Sequence, residues 1–314
     1  MADTLTVTQA ATVKAIVNLF ETGHVLGDYG QVTVLEGDSG HLTFGRSQTT
    51  LGSGNLGALL QRYCRNAGAR FGRRIGDFLP RVHARDTDLD ADLALHNLLR
   101  ASADDRVMRD VQDEFFDETY FMPAMKAAAR AGISQPLGRA VVYDSFVHGS
   151  WSRVRARVAG TPASLGERAW IGAYVDERRR WLAASTRPVL RTTVYRMDAF
   201  SRLIDLEQWG LELPLVVRGA EISAGTLSAV PPGTYEGPQP GTRELAFVTS
   251  APLLRGIDVR LVQLALSERG ADIRADGVFG RASSHRVADR QRAIGVPVTG
   301  VADRAFVLAL AATV

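Results

Sequence analysis

The stretch FETGHVLGDYGQVTVLEGDSGHLTFGRSQTT, residues 20–50, gathers Glu21, Asp28, Glu36 and Asp38 among glycines, with a run of small hydroxyl residues behind them. Two carboxyl groups can cut an acetal if one delivers a proton to the leaving oxygen while the other stays ionised and activates water. Glu21 and Asp38 suit the two tasks. Glu21 closes an apolar segment beside Leu19 and Phe20, where partial burial would favour the protonated acid. Asp38 sits in a Gly-Asp-Ser-Gly turn, open to water, which favours the carboxylate. Asp28 and Glu36 read as solvated turn or capping residues. Arg46, Ser47 and Gln48 follow the turn and are expected either to line a binding cleft or to satisfy backbone groups of a tight loop.

These residues need a scaffold, and periodicity outlines it. Val13, Ile16, Val17 and Phe20 recur at i, i+3, i+4 and i+7, the spacing of one helical face, and Thr22-Gly23 ends the run at Glu21. QVTVLEGDSGHLTF predicts two short strands around the glycine turn. From about residue 53 to 208 the pattern is helical almost throughout. Residues 218–250 are dense in Gly, Pro, Ser and Thr and predict a linker, and 253–314 predict three short helices. The expected organisation is a mainly α domain with a small β element over 1–217, a linker over 218–250 and a small three-helix domain over 251–314.

Composition narrows the classes. A hydrophobic fraction of 46% over 314 residues is enough for a substantial core. The net charge is +3, carried by arginine, since only Lys14 and Lys126 are lysines. Arginine bias of a GC-rich genome explains that, as does attraction to an anionic polymer, but no basic run is long enough to demand the second or to suggest nucleic acid. Cys64 is the one cysteine, so no intramolecular disulfide forms, and it is expected to be a buried small apolar residue. The six histidines show no metal-ligand spacing, so no metal or cofactor is expected. The N-terminal residues lack the pattern of a signal peptide, and no stretch is apolar enough to span or insert into a membrane. No GxSxG elbow supports a nucleophilic serine.

The residues quoted carry a resemblance. IVNLFE, GDSGHLT, GSGNLGALLQRY, FDETYFMPAMKAAARAG, PLGRAVVYDSFVHG and YVDERRRWL, spread over roughly residues 10–215, resemble the chitosanases of glycoside hydrolase family 46 in the lysozyme-like superfamily. The resemblance implies a lysozyme-like α+β fold, Glu21 as general acid, Asp38 as base, and Thr43 as the hydroxyl that helps hold the water. It implies a buried network tuning the acid, with Asp144, Arg178 and, more weakly, Arg191. A plain interior ion pair is the other reading of Asp144 and Arg178. His41 and Leu42 depart from the family's turn, and Asn55 stands where the family places an aspartate to grip an ammonium. An amide bonds an acetamido or hydroxyl group but does not pair with a cation. His41, Asn55 and Arg46 are therefore expected to contact substrate.

The final segment, with DVRLVQLAL, ADGVFG, VADRQ and VTGVAD, resembles the three-helix peptidoglycan-binding domain attached to many bacterial wall hydrolases. In its ADGVFG turn, Gly277 and Gly280 permit positive φ, and Phe279 can plug the gap between helices. Together these features imply an endo-acting, inverting hydrolase of β-1,4-linked amino-sugar polymers, with peptidoglycan as the expected substrate. Chitosan is the alternative, and a non-catalytic wall-binding protein the reading from another class. The expected state is a monomer working outside the cytoplasm, in the periplasm or the cell wall.

Overall fold

The computed structural model describes residues 4–312 apart from residue 47; the expectation for Ser47 lies outside the described residues. The chain forms two compact units. One runs to Gly27 and resumes over Glu114–Ala229; the other comprises Asp28–Asp113 and the chain from Val230 onward.

In the first unit, the opening helix spans Val7–Glu21. Thr6 and Gln9 form a reciprocal capping box that satisfies its first amides. Val13, Ile16, Val17 and Phe20 are all buried, each contributing about 1.5–3 kcal/mol by leaving water. This face packs on the helix Pro136–Val147. The long segment 106–130 is helical as expected, but a π-type turn at Asp117–Phe121 separates Arg106–Phe116 from Met122–Arg130. Trp151, Trp170 and Tyr174 pack ring on ring beneath the helix Glu167–Ala183.

The expected linker begins with folded structure. Strands Leu215–Val217 and Ala220–Ile222 pair antiparallel, and Ile222 is fully buried. The turn between them, Arg218-Gly219, takes positive φ at both residues. That is the conformation two-residue hairpins favour, here with an arginine in the place where Asn or Asp is the usual signal.

In the second unit the glycine turn lies within a three-stranded sheet. Val32–Thr33 pairs with Thr43–Phe44, which pairs with Thr49–Thr50, a third strand the sequence did not suggest. The helix Asn55–Cys64 follows. Cys64 is half-buried rather than buried, and that burial pushes its thiol up.

Residues beyond 250 form three helices, Ile257–Ser267, Arg281–Ala293 and Arg304–Ala312, with an apolar cluster of their own that includes Val259, Val262, Phe279, Val287 and Phe306. Phe279 is fully buried there. Gly277 has φ +76°, but Gly280 does not take positive φ; it has φ −101° and precedes a helix.

This segment also grips the helix Leu93–Ser102. The fully buried Asn97 donates to the Ile273 carbonyl at 2.7 Å and accepts from the Ala275 amide at 2.8 Å. Arg260 donates to the buried Asp104 at 2.9 Å. Asn97→Ala leaves two buried backbone groups without partners, at a cost of about 1–3 kcal/mol. The expected result is a urea midpoint lowered accordingly at unchanged m; an unchanged midpoint would show that this contact does not hold the segment.

Candidate active site

Each candidate carboxylate has its own local support. Glu21 is the last residue of its helix, and Gly23, with φ +76°, turns the chain away. Asn18 accepts from the Thr22 amide and donates through Nδ2 to the Val25 carbonyl, pinning the exit. Phe20 packs edge-on against Phe200 with ring centres 5.4 Å apart, and Tyr195 donates its hydroxyl to the Phe20 carbonyl at 2.8 Å. Arg218, from the hairpin tip, lies 3.9 Å over the Tyr195 ring. The helix end is therefore held by its own exit turn, by the helix Tyr195–Asp205 and by the hairpin.

The Glu21 side chain is 35% exposed, more open than its apolar neighbours suggest. Its Oε1 accepts from Arg196 Nη1 at 2.7 Å, and the same nitrogen reaches Asp144 Oδ1 at 2.9 Å. Arg178 Nη1 donates to Asp144 Oδ2 at 2.5 Å and to Ser145 at 3.0 Å. Asp144 and Arg178 are fully buried. Burial alone would push the Asp144 carboxyl up; Arg178 and Arg196 outweigh it and hold the group below the usual carboxylate range. Burial would lower the Arg196 guanidinium, but the Asp144 and Glu21 carboxylates raise it instead. The chain Arg178–Asp144–Arg196–Glu21 fixes the glutamate's rotamer and sets a guanidinium against its carboxyl group.

Arg191 is not in this chain. It is exposed and donates to the Ser185 carbonyl at 2.9 Å. Arg191 belongs to the short helix Pro188–Arg191, Arg196 to the helix Tyr195–Asp205, and the break between them shifts the phase. His148, absent from the sequence reading, caps the Asp144 helix, donating its amide to the Asp144 carbonyl. Burial first, then Arg178 and Arg196, depress its imidazole to about 4, so it is neutral near pH 7.

Asp38 is exposed in a turn in which its amide bonds to the Leu35 carbonyl at 3.1 Å. Its Oδ2 lies 2.9 Å from where a Cβ at Gly40 would stand, and the Ser39 carbonyl lies 2.2 Å from a Cβ at Gly52. Gly52 is therefore required by the close approach of backbone, whereas a Cβ at Gly40 would meet the movable end of the exposed Asp38 side chain. His41 takes φ +57°, held there because Asp90 meets its Nδ1 at 2.8 Å and the Leu42 amide at 2.7 Å. Thr43 donates its hydroxyl to the His41 carbonyl at 3.0 Å.

Arg46 departs from expectation. Its side chain is buried and pairs with Asp113, its Nη1 also lies 3.4 Å from the Tyr29 hydroxyl, and Gln112 accepts from its amide. It organises the loop rather than reaching outward. Asp28 accepts from the Gly30 amide in a local turn, and Glu36 is exposed. Asn55 is exposed as the first residue of its helix. Arg85 stands against the preceding residue, with Nη2 3.2 Å from where a Cβ at Gly54 would be.

Each taken by itself, Glu21 held against an arginine and Asp38 open to water are carboxyl groups of the kind acetal hydrolysis uses. That chemistry on a mainly helical scaffold defines a glycoside hydrolase. The model of glycosyl hydrolase family 46 matches residues 15–215, and that of a putative peptidoglycan binding domain matches 255–310. The chain belongs to glycosyl hydrolase family 46. A chitosanase of Bacillus subtilis (strain 168) is 26% identical over 233 residues, covering 68% of this chain and 83% of that protein. The Gynuella sunshinyii family 46 chitosanase solved with chitotetraose superposes at TM-score 0.56 and 26% identity, covering 71% of this chain and 99% of that one. Native chitosanase from Bacillus subtilis MY002 shares the fold at TM-score 0.57 and 24% identity, over 68% of this chain and 96% of that one. Among the described residues, no helix is long and apolar enough to cross a membrane, and no cluster of His, Cys, Asp or Glu is arranged to hold a metal ion.

Proposed function

We propose that the chain is an endo-acting, inverting hydrolase of β-1,4-linked amino-sugar polymers in which Glu21 is the general acid and Asp38 the general base. The observation that carries this is Arg196 bridging Glu21 to a fully buried aspartate, which gives an otherwise exposed glutamate a fixed position beside a held cation. Glu21 gives its proton to the leaving oxygen as the bond breaks, and Asp38 takes a proton from the attacking water. Thr43, which opens the strand Thr43–Phe44 after the Asp38 turn, assists in holding that water.

For the polymer, we propose the N-acylated strand of peptidoglycan. Asn55 is neutral where an ammonium would need a carboxylate, and the Arg85 guanidinium against the preceding Gly54 adds positive charge nearby. The match at 255–310 supports a wall-directed module over residues 251–314, acting outside the cytoplasm on a monomeric chain without membrane or nucleic-acid partners. The second reading is chitosan. Each relative described above is named a chitosanase, and the comparisons favour this reading over peptidoglycan.

Initial rates on fully deacetylated chitosan and on purified peptidoglycan separate the two. A subsite carboxylate facing an ammonium contributes about 1.5–3 kcal/mol, so Asn55→Asp should shift preference toward chitosan by roughly ten- to a hundredfold. The shift shrinks at high salt, where exposed charges are screened. Rapid wild-type cleavage of chitosan with none of peptidoglycan overturns the peptidoglycan reading and leaves the acid–base assignment standing.

A further inference from the structure

In the unit built from the chain start and Glu114–Ala229, a cavity of about 610 Å³ opens between the helices Trp151–Arg155, Glu167–Ala183 and Pro188–Arg191. Arg153, Arg157, Arg180 and Arg187 line it, with Glu177 as the one carboxylate and Trp181 on its wall. Glu177 is shared: Arg180 Nη2 lies 3.0 Å from one oxygen and Arg157 Nη1 3.9 Å from the other. Arg153 and Arg187 have no carboxylate partner among the described residues. The Arg153 guanidinium instead lies 5.8 Å over the Trp181 ring. All four arginines are exposed and none belongs to the chain that holds Glu21.

Four guanidinium groups stand around one carboxylate, and all four lie outside the buried faces of these helices, which carry Trp151, Tyr174 and Leu182. A fork of arginines with spare N–H groups matches a carboxylate or phosphate. The half-buried indole offers an apolar face to a sugar ring. An ammonium-bearing chain is repelled here. We propose that this cavity is a second binding site for an anionic glycan, with a sugar on Trp181 and its carboxylate or phosphate held by Arg153 and Arg187. The proposal does not depend on which polymer the catalytic residues cut.

Two wall components carry this chemistry: the carboxylates of peptidoglycan and the phosphodiesters of wall teichoic acid. The test uses the full chain and its variants Arg153→Gln/Arg187→Gln and Arg153→Glu/Arg187→Glu, which leave the Glu177 pairs intact. Sedimentation with purified Gram-positive sacculi, before and after acid removal of teichoic acid, gives apparent affinity at low and high salt. The expected result is a loss of about tenfold for the glutamine variant, larger for the glutamate variant and smaller at high salt, with cleavage of short soluble oligosaccharides unchanged. An equal loss on both walls assigns carboxylates; a loss confined to teichoic-acid-bearing walls assigns phosphates. Unchanged binding by both variants on both walls overturns the site, whatever the oligosaccharide activity.

Discussion

Glu21→Gln and Asp38→Asn are each expected to lower glycan cleavage by roughly 10²–10⁴-fold, the usual contribution of a positioned acid or base. Both substitutions keep shape and hydrogen-bonding capacity while removing the proton to give or the charge to take one. Glu21→Gln still accepts from Arg196 through its amide oxygen, so the fold should persist. Asp38 is exposed, and its amidation should move the unfolding midpoint little. Asp28→Asn and Glu36→Gln serve as controls within the same stretch and should leave rates within a few fold. Turnover near that of wild type in either principal variant would remove that residue from the mechanism.

Arg196→Met is expected to cost about 3–5 kcal/mol of stability, because it withdraws one of two cations from a fully buried carboxylate. Arg178 remains on Asp144, which keeps the loss toward the lower end. Rate should fall as well, chiefly in kcat, since Glu21 loses the contact that fixes its rotamer while the sugar contacts persist. Arg196→Lys restores a cation and should recover more stability than rate, a split that a purely structural role would not produce. Arg191→Ala, at an exposed site, should change stability by less than about 0.5 kcal/mol. Equal and small effects at 191 and 196 would show that the network does not govern the acid.

The contrast between these two arginines shows where sequence reading stops. The Glu21 helix was legible because Val13, Ile16, Val17 and Phe20 keep one period and Thr22-Gly23 breaks it. Asp144 and Arg178 lie within long regular helices and could be placed with them. Arg196 could not, because two helices meet within residues 188–205 and a local pattern does not reveal their relative phase. Arg46 was misjudged for another reason. Its partner Asp113 lies 67 residues on, and a charged residue after a glycine turn is more often outside than buried. The Asp90 bond that holds His41 spans 49 residues and left no local trace. The hairpin at 215–222 was hidden by its turn, since Arg218 adopts a conformation usually signalled by Asn or Asp. Arg85 became visible only through the empty side of Gly54.

The central claim is that Glu21 donates the proton while Asp38 activates water for direct displacement, with no covalent glycosyl intermediate. Proton NMR of products in the first minutes of hydrolysis of a β-linked substrate, before mutarotation, tests it most directly. Single displacement gives the α-anomer first at the new reducing end, with the β-anomer growing in later. Initial release of the β-anomer by the wild-type chain would show retention and contradict the account.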